Sequence, residues 1–150
     1  MDQISPFHVE TDFQVTYDRD VPCVVMVWRG YHDSASFRAN NWRVLAALIE
    51  HGASQLLGDV RHFLLIGATD QDWLNREWLP RVIEAGLTTC ALVVPVYYFN
   101  RVAVNTVVER MGTSAVRVEY FDAPEPARRW LQSASSGPTA AREMALACRP

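Results

Sequence analysis

The sequence predicts an α/β domain around one mostly parallel sheet of about five strands, in the order ββαβαβαβα, with an antiparallel edge strand. Three observations carry this. From residue 21 onward, apolar runs of strand length alternate with stretches of helical period. The helical stretches stop at Gly52, Gly86 and Gly112, a residue suited to the left-handed position after a helix. Finally, 150 residues with 49% hydrophobic and 21% charged content match one globular domain. A domain of that length buries roughly 68–70% of its unfolded surface and needs no covalent staples.

Residues 13–18 alternate apolar and polar, the period of a half-buried strand. After Arg19-Asp20, the run from Val21 to Trp28 is apolar on both faces, as in a central strand. So short a connection makes these two an antiparallel hairpin. A helix follows, capped by Asp33 or Ser34, with Phe37, Val44, Leu45, Leu48 and Ile49 as its apolar stripe. His51 suits the negative end of its dipole.

Gln55–Val60 reads as the next strand, ending in the polar cluster Asp59, Arg61 and His62. A second helix opens near Thr69, where Thr69 and Asp72 form a weak capping box. Pro80 kinks that helix or begins a new one, because proline lacks an amide donor. Residues 89–96 form the clearest buried strand, and a third helix carries Val104, Val107, Val108 and Met111. Residues 116–120 alternate as an outer strand. Asp122 and Glu125 then cap a last helix that turns Ala127, Trp130 and Leu131 inward. Residues 1–132 thus make the domain. Residues 133–150 are a Ser/Gly/Pro linker and an Ala-rich tail that forms a short helix or frays.

Composition narrows the function. A net charge of −3 gives no electrostatic reason to expect nucleic acid. All basic residues are arginine, a bias of composition more readily than of selection for anion contacts. Cys23, Cys90 and Cys148 are odd in number and lack a C-x-x-C pair, which argues against a disulfide framework or zinc site. The N-terminus lacks the basic and apolar regions of a signal peptide, and no apolar run approaches the ~18 residues of a membrane helix. A cytoplasmic protein is the expectation.

Three segments resemble the SpoIIAA-like superfamily, which contains the STAS domains and is related to the CRAL-TRIO lipid-transfer domains. They are Val25-Met26-Val27-Trp28-Arg29-Gly30, Leu57-Gly58-Asp59-Val60-Arg61-His62-Phe63, and Glu119-Tyr120-Phe121-Asp122 followed by Ala127 and Trp130-Leu131. The likeness spans roughly residues 13–132 and implies a SpoIIAA-like fold and a non-enzymatic, STAS-like interaction or regulatory module. STAS anti-sigma antagonists carry a phosphorylatable serine after the third strand. No serine lies between Val60 and Gly67 here, which makes Thr69, at a helix start, the possible phosphorylation site.

Ligands of open α/β sheets gather at the carboxyl ends of the strands. That edge should hold Arg29, Tyr31 and His32, then Asp59, Arg61 and His62, then Tyr97, Tyr98, Asn100 and Arg101, and finally Asp122. As a ligand site, Asp59, Arg61, His62, Tyr97, Tyr98, Asn100 and Arg101 suit a small anionic or amphiphilic, lipid-like molecule. The bland reading is that wet loops are polar, with Asp59 pairing Arg61 for local order. Catalytic and cofactor motifs are lacking: there is no G-x-S-x-G, no G-x-G-x-x-G and no phosphate-binding loop. Asp59 and His62 suggest acid–base chemistry only if the two side chains meet. Histidine spacing suggests no metal. Trp42 falls off its helix stripe and, with Asn40, Asn41 and Arg43, reads as an exposed interface patch for a protein partner or a homodimer.

Overall fold

The computed structural model describes residues 4–9, 12–64, 66–94 and 115–136. Its strands are β1 (Ile4–Val9), β2 (Phe13–Asp18), β3 (Cys23–Gly30), β4 (Gln55–Phe63), β5 (Thr89–Val93) and β6 (Arg117–Phe121). They form one six-stranded sheet in sequential order. β1 to β3 are joined antiparallel and β3 to β6 parallel.

The expected hairpin is present, with Phe13 opposite Trp28 and Asp18 opposite Cys23. It does not form the sheet edge, because β1 pairs outside β2. Pro6 explains why β1 escapes a pattern search. Proline interrupts a ladder and is tolerated at an edge, and the register shifts between Pro6 and His8.

Helix α1 (Ser34–His51) has both expected ends. The Asp33 carboxylate accepts from the Ser36 amide at 2.8 Å. At the other end Gly52 takes a left-handed φ of 57°, and the Ala53 amide reaches back to the Leu48 carbonyl at 2.9 Å. The buried stripe differs from expectation: it is Phe37, Asn40, Asn41, Val44, Ala47 and Leu48. Ile49 lies one position beyond that stripe and is exposed. His51 stacks flat on Tyr17, with ring centroids 4.1 Å apart.

The second helical region consists of α2 (Ala68–Trp73), a π-helical turn (Leu74–Trp78) and α3 (Leu79–Glu84). Gly67 stands at the cap of α2 without a side-chain bond, so the expected Thr69/Asp72 capping box is absent. Thr69 is exposed inside the first turn instead. Pro80 sits in the first turn of α3, where no amide is needed, and the wide π turn precedes it. Gly86 ends α3 at a φ of 115°. Helix α4 (Pro124–Ser136) begins on its proline. The third expected helix and the tail from Thr139 lie outside the described residues.

Among the described residues, the two faces of the sheet carry clusters of unequal size. One carries the larger core: Val15, Val24, Met26, Trp28, Leu56, Val60 and Leu92 from the strands meet Phe37, Val44 and Leu48 of α1 and Leu79 and Val82 of α3. The other is a small cluster in which Cys23, Leu57, Ala91 and Val93 meet Ala127 and Leu131 of α4. Gly58 shows how closely the larger side is packed. A Cβ there would lie 2.7 Å from Met26 Cε and 3.0 Å from Leu92 Cδ2. No described helix is long and apolar enough to cross a membrane.

Candidate functional site at the carboxyl edge of the sheet

β4 extends past the expected Val60 to Phe63, so Asp59, Arg61 and His62 are strand residues, not loop residues. Val27 of β3 is opposite Asp59, while Arg29 is opposite His62: two steps on one strand match three on the other. The extra residue is a β-bulge, which re-aims side chains locally. Val60 and Phe63 consequently both join the larger core, while Arg61 shares a face with Asp59 and His62 is exposed.

Asp59 is buried by Val27 and Val93 on the flanking strands. Its carboxylate accepts from Arg61 Nε at 2.9 Å, from Nη2 at 2.8 Å and from the Arg61 amide at 3.2 Å. This bidentate pair holds the Arg61 guanidinium above its ordinary pKa range, chiefly through the side-chain hydrogen bond. Both Asp59 oxygens point to Arg61, so the acid–base reading with His62 has no contact to stand on.

β3 ends at Gly30, whose φ of 69° only glycine adopts without strain. The Gly30 carbonyl accepts the Leu64 amide at 3.0 Å and extends the β3–β4 register one step past the Gly30–Phe63 pair. Tyr31 and Leu64 follow directly from this paired end, and 69% and 46% of their surface is exposed. His32 turns back: Nε2 lies 3.0 Å from the Arg29 carbonyl oxygen and 3.1 Å from that of Asp12. Its ring stands edge-on to Trp28, with centroids 5.0 Å apart. Beneath it, Trp28, Phe37 and Phe63 make a continuous aromatic floor.

A third group ties the neighbouring helix starts together. Asp70, buried in α2, accepts from Ser34 Oγ at 2.9 Å and from Arg38 Nε at 3.2 Å. Arg38 also lies over the Trp73 ring. No sequence signal joined these residues, because a pairing across 36 positions has no local pattern.

Trp42 belongs to this packed region and is not an exposed patch. It is half-buried, edge-on to Trp73 at 5.2 Å, with the Arg81 guanidinium over its ring. Asn40 and Asn41 beside it are buried. Asn40 accepts from Arg43 and Asn41 donates to the Phe37 carbonyl, while Asn40 Nδ2 is buried without a hydrogen-bond partner among the described residues.

Of the expected ligand residues, the structure thus brings Asp59, Arg61 and His62 to one strand end. Tyr97, Tyr98, Asn100 and Arg101 lie outside the described residues. Asp122 is exposed beyond β6. Among the described residues, no group of three or more His, Cys, Asp or Glu side chains gathers in a way that could hold a metal ion. No protein-family model, curated protein or solved structure matches the chain.

Proposed function

We propose that this α/β domain is a non-enzymatic, STAS-like interaction or regulatory module that meets a protein partner with the carboxyl edge of β3 and β4. The observation that carries the reading is the exposure of Tyr31 and Leu64, which directly follow the paired ends of β3 and β4. Two large, exposed side chains follow a hydrogen-bonded strand end. Exposed aromatic and apolar side chains on a backbone held by the sheet suit the anchors of a protein contact. Exposed Arg29 and His62 on the same strand ends supply a polar rim. The neighbouring groups that would serve chemistry are already committed, Arg61 to Asp59 and His32 to backbone carbonyls.

The test is affinity purification from the native host, with the wild-type chain and a Tyr31→Ala/Leu64→Ala variant as paired baits. A protein retained by the first and lost by the second, at equal thermal stability, supports the reading. Identical recovery with both baits removes it.

A second reading is a binder of a small anionic or lipid-like ligand. It draws on Arg61, whose Nη1 is not used by Asp59 and which remains partly exposed. Native mass spectrometry of gently purified protein tests it. A retained mass that disappears in Arg61→Ala or Arg101→Ala supports the ligand reading, and a ligand-free spectrum contradicts it.

A further inference from the structure

Among the described residues, β1 and β6 are the edge strands of the sheet, and they are built differently. β1 carries Pro6, which has no amide donor, and its register is irregular, both of which discourage a further strand. β6 is regular over its whole length, from Arg117 opposite Thr89 to Phe121 opposite Val93. Its hydrogen bonds fix which backbone groups face outward. The Arg117 amide donates to the Thr88 carbonyl at 2.8 Å, and the Phe121 carbonyl accepts from the Val94 amide at 2.8 Å. Successive residues of a strand turn their backbone groups to opposite sides. Arg117, Glu119 and Phe121 therefore face β5, and the amide and carbonyl of Val118 face away from the sheet.

We infer that β6 is a homodimer interface, in which β6 of a second copy pairs antiparallel with Val118 on the two-fold axis. The occupant follows from charge. Val118 is flanked by Arg117 and Glu119, both exposed. With Val118 opposite its own copy, Arg117 faces the partner's Glu119 and Glu119 faces the partner's Arg117. These two reciprocal pairs fall at the non-hydrogen-bonded positions, where opposed side chains approach most closely. Val118 and its copy exchange both backbone hydrogen bonds at the axis. Moving the axis to Tyr120 or to Val116 sets Glu119 opposite Phe121 or beyond β6 and loses both charge pairs. The pattern is self-complementary in one register, as an isologous interface requires. This inference is independent of the partner surface at Tyr31 and Leu64, which lies on other strands.

Charge exchange tests it in solution by sedimentation equilibrium. An interface of one strand pair is small, so the wild-type chain is measured at roughly 100 µM and above, where a weak dimer is populated. Arg117→Glu sets carboxylate against carboxylate, and Glu119→Arg sets guanidinium against guanidinium. Each variant alone should associate about tenfold more weakly or worse. An equimolar mixture of the two should regain the dimer, because each repulsive strand complements the other. Val118→Pro removes the outward amide without touching the β5–β6 ladder, and should give a folded monomer by circular dichroism. A wild-type monomer, a dimer indifferent to all three substitutions, or a mixture no stronger than its components overturns the inference.

Discussion

Asp18–Arg128 and Asp59–Arg61 join the same residue types at nearly the same distance, 2.7 and 2.8 Å, at opposite ends of the sheet. Asp18 closes β2 at the amino end of the parallel strands. Its carboxylate accepts from Arg128 of α4, 110 residues away, and from the amides of Asp20 and Val21 in the hairpin turn. It therefore holds the helix of the small face onto the hairpin, helped by the bond from Gln132 to the Asp20 carbonyl. Asp59 and Arg61 are two residues apart on one strand, and their pair ties together nothing that the strand has not already fixed. The same chemistry thus closes tertiary structure in one pair and only orders side chains in the other. Geometry of connection, more than pair distance, sets what an ion pair is worth.

The largest expected effect comes from breaking the long-range pair. Arg128→Ala leaves the Asp18 carboxylate, whose side chain is 1% exposed, without its charged partner and with only the Asp20 and Val21 amides as donors. Breaking a buried pair typically costs 3–5 kcal/mol; with Arg128 one-third exposed, screening brings the expectation to about 2–3 kcal/mol in urea denaturation.

Both described thiols also lie at the amino end, and they make that end sensitive to alkali. Burial pushes the Cys90 thiol from its ordinary 9.0 to about 12, and burial, reinforced by Asp18, pushes Cys23 up as well. The folded state therefore keeps protons that the unfolded chain releases. This contribution is fully present below pH 9 and is lost as the pH rises from there toward the folded value. Each thiol adds a slope of up to about 1.4 kcal/mol per pH unit. The urea midpoint should fall between pH 9 and 11, and fall less steeply in Cys90→Ala.

Arg61→Ala sharpens the contrast from the other end. Asp59 keeps the amide of residue 61 as a donor, and no second element comes loose, so about 1 kcal/mol is expected. A double-mutant cycle on Asp59 and Arg61 should give a smaller coupling than one on Asp18 and Arg128. Equal couplings would mean that the span of a pair does not matter here.

What the sequence revealed follows the same division between local and distant. Asp33 and Gly52 mark the ends of α1 correctly because a cap is a contact over three to five residues. The Asp59–Arg61 pair was visible as a motif, since its partners are two positions apart. Asp18–Arg128 and Asp70 with Ser34 and Arg38 were not, because only the folded chain brings them together. Trp42 misled for a related reason: its position off the α1 stripe suggests solvent, but Trp73 and Arg81 from the next helical region cover it. The run Asp59–Phe63 hid a β-bulge, which a strict alternation of faces cannot express. Tyr31 was placed at the right edge from the strand pattern. Leu64 was not singled out, because nothing in Phe63-Leu64-Leu65-Ile66 tells which of these apolar residues faces water.

The contrast between the Asp18–Arg128 tie and the exposed Tyr31 and Leu64 is tested most directly by urea denaturation of Arg128→Ala beside Tyr31→Ala/Leu64→Ala. A loss of about 2–3 kcal/mol is expected for the first and less than about 0.5 kcal/mol for the second, since exposed side chains add little to stability. A comparable loss in both would mean that Tyr31 and Leu64 serve the fold, and would contradict the assignment of the carboxyl edge to contact.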